Sequence, residues 1–286
     1  MKRYRHYKRD KAIILSCFGS VIEQEMYLAL KQEIEATFEG VDVFLSFSSR
    51  MVLKDLHKRG MEYRNLPQVL ADVDMLGYRN IIVASINLFP TDEHELLLRT
   101  VKGFNSFSYA NIRATKAIIN KTKETSLFLK SLNSKIGIGG FSPEQDEAKA
   151  VDSKSWANLY VIHGVPLLDL SGLSSVRYTE EFLKVISKKN YTCSLEGAFP
   201  YYAIKESLVE QMKADGVTHI QVVPMLLVSG NHYIKDMVEI SEELSKDFES
   251  RVVPSITASE RFNLIEIEDI RDIISQNIKE EIIKLG

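Results

Sequence analysis

His163, Glu196 and His232 are the residues of this sequence whose types and spacing best suit chemistry. Each closes or follows a short apolar run, at 159–162, 191–196 and 220–228. Such runs, bounded by turn residues, suit parallel strands covered on both faces. If the three strands and the helical segments between them form right-handed βαβαβ crossovers, their carboxyl ends share one edge of a sheet. Open α/β sheets bind ligands at that edge. Two imidazoles and a carboxylate gathered there suit a borderline divalent transition metal such as cobalt, nickel, iron or zinc. An imidazole can also accept a proton near neutral pH. Singly, each residue has an ordinary reading: Glu196 as a solvated loop acid, His163 and His232 as hydrogen-bonded loop histidines. Their coincidence at three strand ends singles them out.

The elements that must position these residues occur twice. Gly77 to Glu93 can be laid without a gap on Gly216 to His232, which puts Glu93 in the first half where His232 stands in the second. In the second copy, Gly230 and Asn231 supply the turn after the strand. Ala12 to Gly19 likewise matches Asn158 to Gly164 in kind, with His163 at the place of Phe18. Two landmarks in the same order favour an internal duplication.

The spacing predicts strands at 12–18, 41–47, 81–88 and 114–120 in the first half, and at 159–162, 191–196, 220–228 and 251–256 in the second. Helices are expected at 22–37, 50–59, 66–76, 91–101, 122–132, 177–189, 202–214, 232–242 and 266–285. Thr91 as a cap, with Asp92 and Glu93 in the first turn, gives Glu93 an ordinary role beside the helix dipole. The glycine-rich stretch from Gly137 to Pro143 interrupts the pattern. The expected organisation is an α/β protein of two similar three-layer domains with mostly parallel sheets. An N-terminal domain spans 1–142, a linker or insertion 143–156, and a C-terminal domain with the metal site 157–286. The last helix is free to pack back on the first domain.

Composition narrows the function. At 286 residues the chain is long enough for two modest domains. A net charge of -3 argues against a nucleic-acid-binding protein. No apolar run is long enough to span a bilayer, and the basic stretch 1–10 lacks the apolar segment of a signal peptide. Cys17 and Cys193 form neither a disulfide framework nor a zinc motif. A cytoplasmic location is expected. His94, beside Glu93, is a weaker candidate; His6, His57 and His219 lie in less promising contexts. Neither a phosphate-binding glycine loop nor a nucleophile elbow is present.

Several stretches carry a family resemblance: Leu15 to Ser20, Phe47 to Met51, Thr91 to Glu95, Ile162 to Gly164, Leu195 to Pro200 and Gly216 to Met237. On these, most of the chain resembles the anaerobic, class II sirohydrochlorin cobaltochelatases of the chelatase superfamily. The last stretch is the most specific, since the family shows a Pro-Leu-Met-Leu-Val-Ala-Gly-Asp-His-Ala-Xaa-Asn-Asp-Met pattern there. The resemblance implies two similar α/β domains facing a central cleft. It implies insertion of a divalent metal, cobalt favoured and nickel or ferrous iron as alternatives, into sirohydrochlorin for cobalamin biosynthesis. It carries metal ligation to His163, Glu196 and His232, and the proton-accepting role to His163. Glu93, Phe18 and Gly19 fall in stretches expected to contact the tetrapyrrole. No permanent cofactor is implied, because the metal is a substrate, and a homo-oligomer is compatible. The rival reading is a tetrapyrrole- or metal-binding protein that retains the fold without catalysis.

The chain also departs from the family. Ile162 precedes His163 where the family has Gly-His-Gly, and Val165 to Leu168 replace small or polar residues. Cys17 and Ser20 flank Phe18-Gly19 where Ser-Phe-Gly-Thr is usual, and Arg50 replaces a glycine. Residues 133–158 have the look of an insertion, and Glu196 stands one residue out of step with Phe199-Pro200. These changes bear on the pocket walls, and so on the choice of metal and macrocycle.

Overall fold

The computed structural model describes residues 7–136, 155–165, 168–169, 171–230, 233–256 and 260–285. They form two compact units, one of Met1–Asn120 with Ile270–Gly286 and one of Lys121–Asp269. The first contains β1 (Arg9–Cys17), α1 (Gln24–Thr37), β2 (Asp42–Phe47), α2 (Arg50–Lys58), α3 (Leu66–Met75), β3 (Tyr78–Ile86), α4 (Asp92–Phe104) and β4 (Asn111–Ala114). The second contains α5 (Thr122–Ile136), β5 (Trp156–Gly164), α6 (Leu173–Ile186), β6 (Asn190–Glu196), α7 (Tyr201–Ala214), β7 (His219–Met225), α8 (Val238–Leu244) and β8 (Glu249–Val252). A final helix, α9 (Glu268–Ile283), lies mostly within the residues grouped with the first unit.

Each unit has one four-stranded sheet, with all pairings parallel. The orders are β2-β1-β3-β4 and β6-β5-β7-β8, the same arrangement twice. The duplicated stretch coincides in detail. β3 ends at Ile86 and β7 at Met225, which are matched positions in the gapless alignment. Gly77 and Gly216, also matched, both have positive φ and close the preceding helix on the carbonyls of Asp74 and Lys213 at 3.0 Å.

The apolar runs form these sheets because both faces are covered. In the first unit Ala12, Ile14, Ile81 and Val83 pack with Leu70 and Val73 of α3 and with Leu97 and Val101 of α4. Ile13, Leu15 and Ile82, which point to the opposite face, are also fully buried. In the second unit Leu159, Val161, Val222 and Cys193 pack against Met212 of α7 and against Ile240 and Leu244 of α8. The opposite face meets α5, where Asn133 Oδ1 accepts from Tyr160 Oη at 3.0 Å and from Asn190 Nδ2 at 2.8 Å. Unit two is therefore three-layered, an α/β architecture.

Several expected boundaries shift for physical reasons. β7 stops at Met225, where its pairing with β5 ends opposite Ile162, rather than running to Val228. The apolar run continues because Leu226 and Leu227 dock elsewhere, their carbonyls accepting from Leu264 and Ile265 at 3.1 and 3.0 Å. The fourth strand of the first unit is 111–114 rather than 114–120. Ile118 and Ile119 are buried in a loop whose amides bond Asn87 and Leu88. Thr91 precedes α4 without a side-chain cap; its hydroxyl turns to Glu93 Oε2 at 3.4 Å. α6 begins at Leu173, four residues before the expected start, after Gly172 in a left-handed conformation.

Most of the expected 143–156 linker lies outside the described residues. α5, placed by sequence in the first domain, falls in the second unit, and residues from Ile270 fall in the first. There α9 buries Ile270, Ile274 and Ile278, and Glu281 Oε2 accepts from Arg113 Nε at 2.7 Å. Among the described residues no helix is long and apolar enough to cross a membrane.

Candidate metal and substrate site

In the second unit, β5 and β6 pair in parallel from Asn158 opposite Asn190 to Gly164 opposite Glu196. His163 and Glu196 are thus delivered to the same edge by neighbouring strands. His163 Nδ1 lies 3.5 Å from Glu196 Oε1 and 3.4 Å from its neighbour's carbonyl oxygen, Gly164 O. Both oxygens can accept from Nδ1 when it carries the proton. With Nδ1 protonated, the carboxylate holds the imidazole and leaves Nε2 as the ligand or proton acceptor; with Nδ1 bare, the two groups face one ion together. Side-chain exposures of 43% and 47% leave both groups open to an incoming ion.

Two glycines permit this approach. Gly164 has φ +86, and a Cβ there would lie 1.9 Å from Glu196 O. Gly197 has φ +79, and a Cβ there would lie 1.6 Å from Val165 O. The two strand ends pass so closely that only the absence of side chains on both allows the crossing. Beyond Glu196 the chain folds back on β6. Ser194 N donates to Phe199 O at 3.1 Å and Ser194 Oγ to Ala198 O at 2.7 Å, before Tyr201 opens α7.

The third expected ligand, His232, lies outside the described residues, as does Asn231. Met225 ends β7 beside Ile162 on β5, and Gly230 is the last described residue before the gap. Among the described residues no three His, Cys, Asp or Glu side chains converge on a possible metal position. His163 and Glu196 stand as a pair.

The expected substrate residues of the first unit also occupy strand ends. Phe18 follows β1 and is 43% exposed, large for a residue beside a buried strand. Gly19 follows with φ +98, and a Cβ there would lie 3.0 Å from the Phe47 ring and 3.1 Å from Val52. Glu93, half-buried, sits in the first turn of α4 after β3. β1 and β3 are neighbours, with Cys17 opposite Ile86, so Phe18 and the segment leading to Glu93 leave adjacent strands.

Sequence reasoning gave His94 little weight, yet it is buried in a closed polar network. Asn87 Nδ2 donates to Ser85 Oγ at 3.0 Å, and Ser85 Oγ lies 2.8 Å from His94 Nδ1. Burial holds the His94 imidazole below its ordinary value, with Glu95 acting in the opposite direction. Sequence also passed over Arg177, whose guanidinium lies 5.0 Å from the Phe199 ring centroid. The one available signal was Phe199-Pro200, one residue after the Glu196-Gly197 step. Cys17 and Cys193 are free and buried, and burial pushes both thiols up.

Comparison with known proteins places these observations in a family. The model of the cobalt chelatase (CbiK) family matches residues 11–283. The sirohydrochlorin cobaltochelatase of Salmonella typhimurium is 19% identical over 231 residues, covering 79% of this chain and 80% of that protein. SirB from Bacillus subtilis with Fe3+ superposes with a TM-score of 0.62 at 18% identity, over 95% of each chain. The sirohydrochlorin chelatase SirB from Bacillus subtilis subspecies spizizenii, in complex with cobalt, gives 0.59 at 13% identity, over 95% of this chain and 94% of that one. At such identities the two structural likenesses establish the fold.

Proposed function

The chain belongs to the cobalt chelatase (CbiK) family of metal-inserting enzymes, and we propose that it inserts a divalent metal, Co2+ in preference to Ni2+ or Fe2+, into sirohydrochlorin. The observation that carries this reading is the His163–Glu196 pair, 3.5 Å apart at neighbouring strand ends. With His232 after the next strand, it would supply two imidazoles and a carboxylate to a metal on its way to the macrocycle.

The chemistry balances simply. As a divalent ion enters the ring, two pyrrole N–H protons must leave it. His163 is the acceptor for one of them. His163 holds the ion first, and once the ion moves to the ring nitrogens the lone pair it frees takes that proton, while the second proton leaves to bulk solvent. Glu196, beside the imidazole, offsets the charge that this proton brings. Glu93, Phe18 and Gly19 contact the macrocycle. The metal is a substrate, so the reaction calls for no resident cofactor, and the expected location is the cytoplasm.

The test is anaerobic. Purified protein is mixed with sirohydrochlorin and Co2+, Ni2+ or Fe2+ in turn, and the visible spectrum is followed against a protein-free blank. Insertion faster than the blank, and at least a hundredfold slower in a folded His163→Ala variant, is the expected result. Turnover in that variant near the wild-type rate would sink the assignment of His163. Spectral shifts on mixing without faster insertion would favour a binding protein over an enzyme.

A further inference from the structure

Resting on the chelatase reading, we propose that Phe199 is a substrate-binding residue whose ring forms a platform for the flat face of the macrocycle beside Glu196. Among the described residues Phe199 is the only one other than glycine with positive φ, at 55°. An aromatic side chain in that region is strained, and such strain persists only where the surroundings impose it. Here they do so through the main chain. Phe199 O accepts from Ser194 N at 3.1 Å, Ala198 O accepts from Ser194 Oγ at 2.7 Å, and Pro200 bridges to Ser194.

Burial of the ring does not account for the strain. Phe199 remains 53% exposed, although a large apolar side chain gains most when covered. The ring is instead supported from one side. Arg177 lies over it with its guanidinium carbon 5.0 Å from the centroid. Arg177 is in turn anchored on α6, with Nη1 2.9 Å from Glu180 Oε2 and Nη2 3.4 Å from Glu181 Oε1. Glu180 is 1% exposed, so the anchor is fixed in the body of the unit.

Backbone strain, solvent exposure and a buried anchor thus converge on one ring, three residues past Glu196. A cation over one face of a benzene ring draws electron density from the other face. That face suits an extended, electron-rich π system in an offset stack. The ring would also exclude water from one side of the ligand near the imidazole that takes its proton.

The test compares wild type with Phe199→Gly, Phe199→Leu and Phe199→Tyr. Metal-free sirohydrochlorin is titrated by its visible spectrum, Co2+ binding is measured separately, and thermal melts report folding. Phe199→Gly relieves the strain, so it is expected to melt at or above the wild-type temperature while weakening sirohydrochlorin binding about tenfold. Phe199→Leu is expected to weaken it several-fold, Phe199→Tyr to retain it, and Co2+ affinity to stay unchanged in all three. Wild-type sirohydrochlorin affinity in both Phe199→Gly and Phe199→Leu would overturn the platform and leave the chelatase reading standing. Failure of wild type itself to bind sirohydrochlorin would overturn both.

Discussion

His163 Nδ1 stands 3.5 Å from Glu196 Oε1, and the contact is made by residues 33 positions apart that leave adjacent parallel strands. The carboxylate can share an ion with the imidazole or, through a protonated Nδ1, fix its orientation, one role at a time. Both depend on its charge. Glu196→Gln keeps the size and removes the charge at a half-exposed position, so the fold should be unaffected. Co2+ affinity should fall by about tenfold to a hundredfold, the range seen when a histidine ligand loses its orienting partner. Calorimetric titration of Co2+ into wild type and variant reads this directly. Equal affinities would remove Glu196 from the metal site.

The crossing of the two strand ends makes a second prediction, about stability. A Cβ on Gly164 or Gly197 would lie 1.9 or 1.6 Å from a backbone oxygen, at positive φ in both cases. The obstacle is main chain, which cannot rotate away. Gly164→Ala or Gly197→Ala should cost about 3 kcal/mol or more, through overpacking added to left-handed strain. Gly216 is the control: φ is +69, but nothing lies within 4 Å of a Cβ placed there. Gly216→Ala should cost about 1–2 kcal/mol, from conformation alone. Urea denaturation of the three variants should separate them into those two groups. Three similar losses would mean that the strand ends can spread apart.

Much of this arrangement was legible in sequence because it rests on local pattern. The gapless match of 77–93 to 216–232 aligns Ile86 with Met225, and those residues end β3 and β7. The placement of His163 and Glu196 at neighbouring strand ends follows from two apolar runs and one handed crossover. What was not legible depends on distant partners. Leu226 and Leu227 read as strand because they are apolar, but their carbonyls are taken by Leu264 and Ile265, nearly forty residues on. Residues 114–120 read as strand for the same reason, and most of them pack as a buried loop. The conformation of Phe199 is set by Ser194 and its surroundings by Arg177, neither of which marks the Ala198-Phe199-Pro200 run in advance. The one-residue shift of Glu196 relative to Phe199-Pro200 was visible, but not the positive φ of Phe199.

The buried network of the first unit gives a prediction about pH. Ser85 Oγ accepts from Asn87 Nδ2 and still has its proton and a second lone pair to offer His94 Nδ1, so the contact suits a neutral imidazole in either tautomer. Burial accordingly holds the His94 imidazole below its ordinary value of 6.5, and the charge on Glu95 offsets this only in part. The sign follows from proton counting. Between the folded value and 6.5 the unfolded chain binds a proton that the folded chain does not, so acid favours unfolding. Above about pH 7 neither state binds one, and the contribution is flat. Stability should therefore fall as pH drops below about 6.5, by at most about 1.4 kcal/mol per pH unit from this residue. Other groups titrate in the same range, so the informative quantity is a difference. Urea denaturation of wild type and His94→Gln at pH 7.5, 6.5 and 5.5 isolates it, since glutamine has no charge to gain. The stability difference between the two proteins should shift in favour of the variant as pH falls, with most of the change below 6.5. A difference independent of pH would mean that the folded chain admits a charged His94, either by opening around α4 or by turning the imidazole toward Glu95.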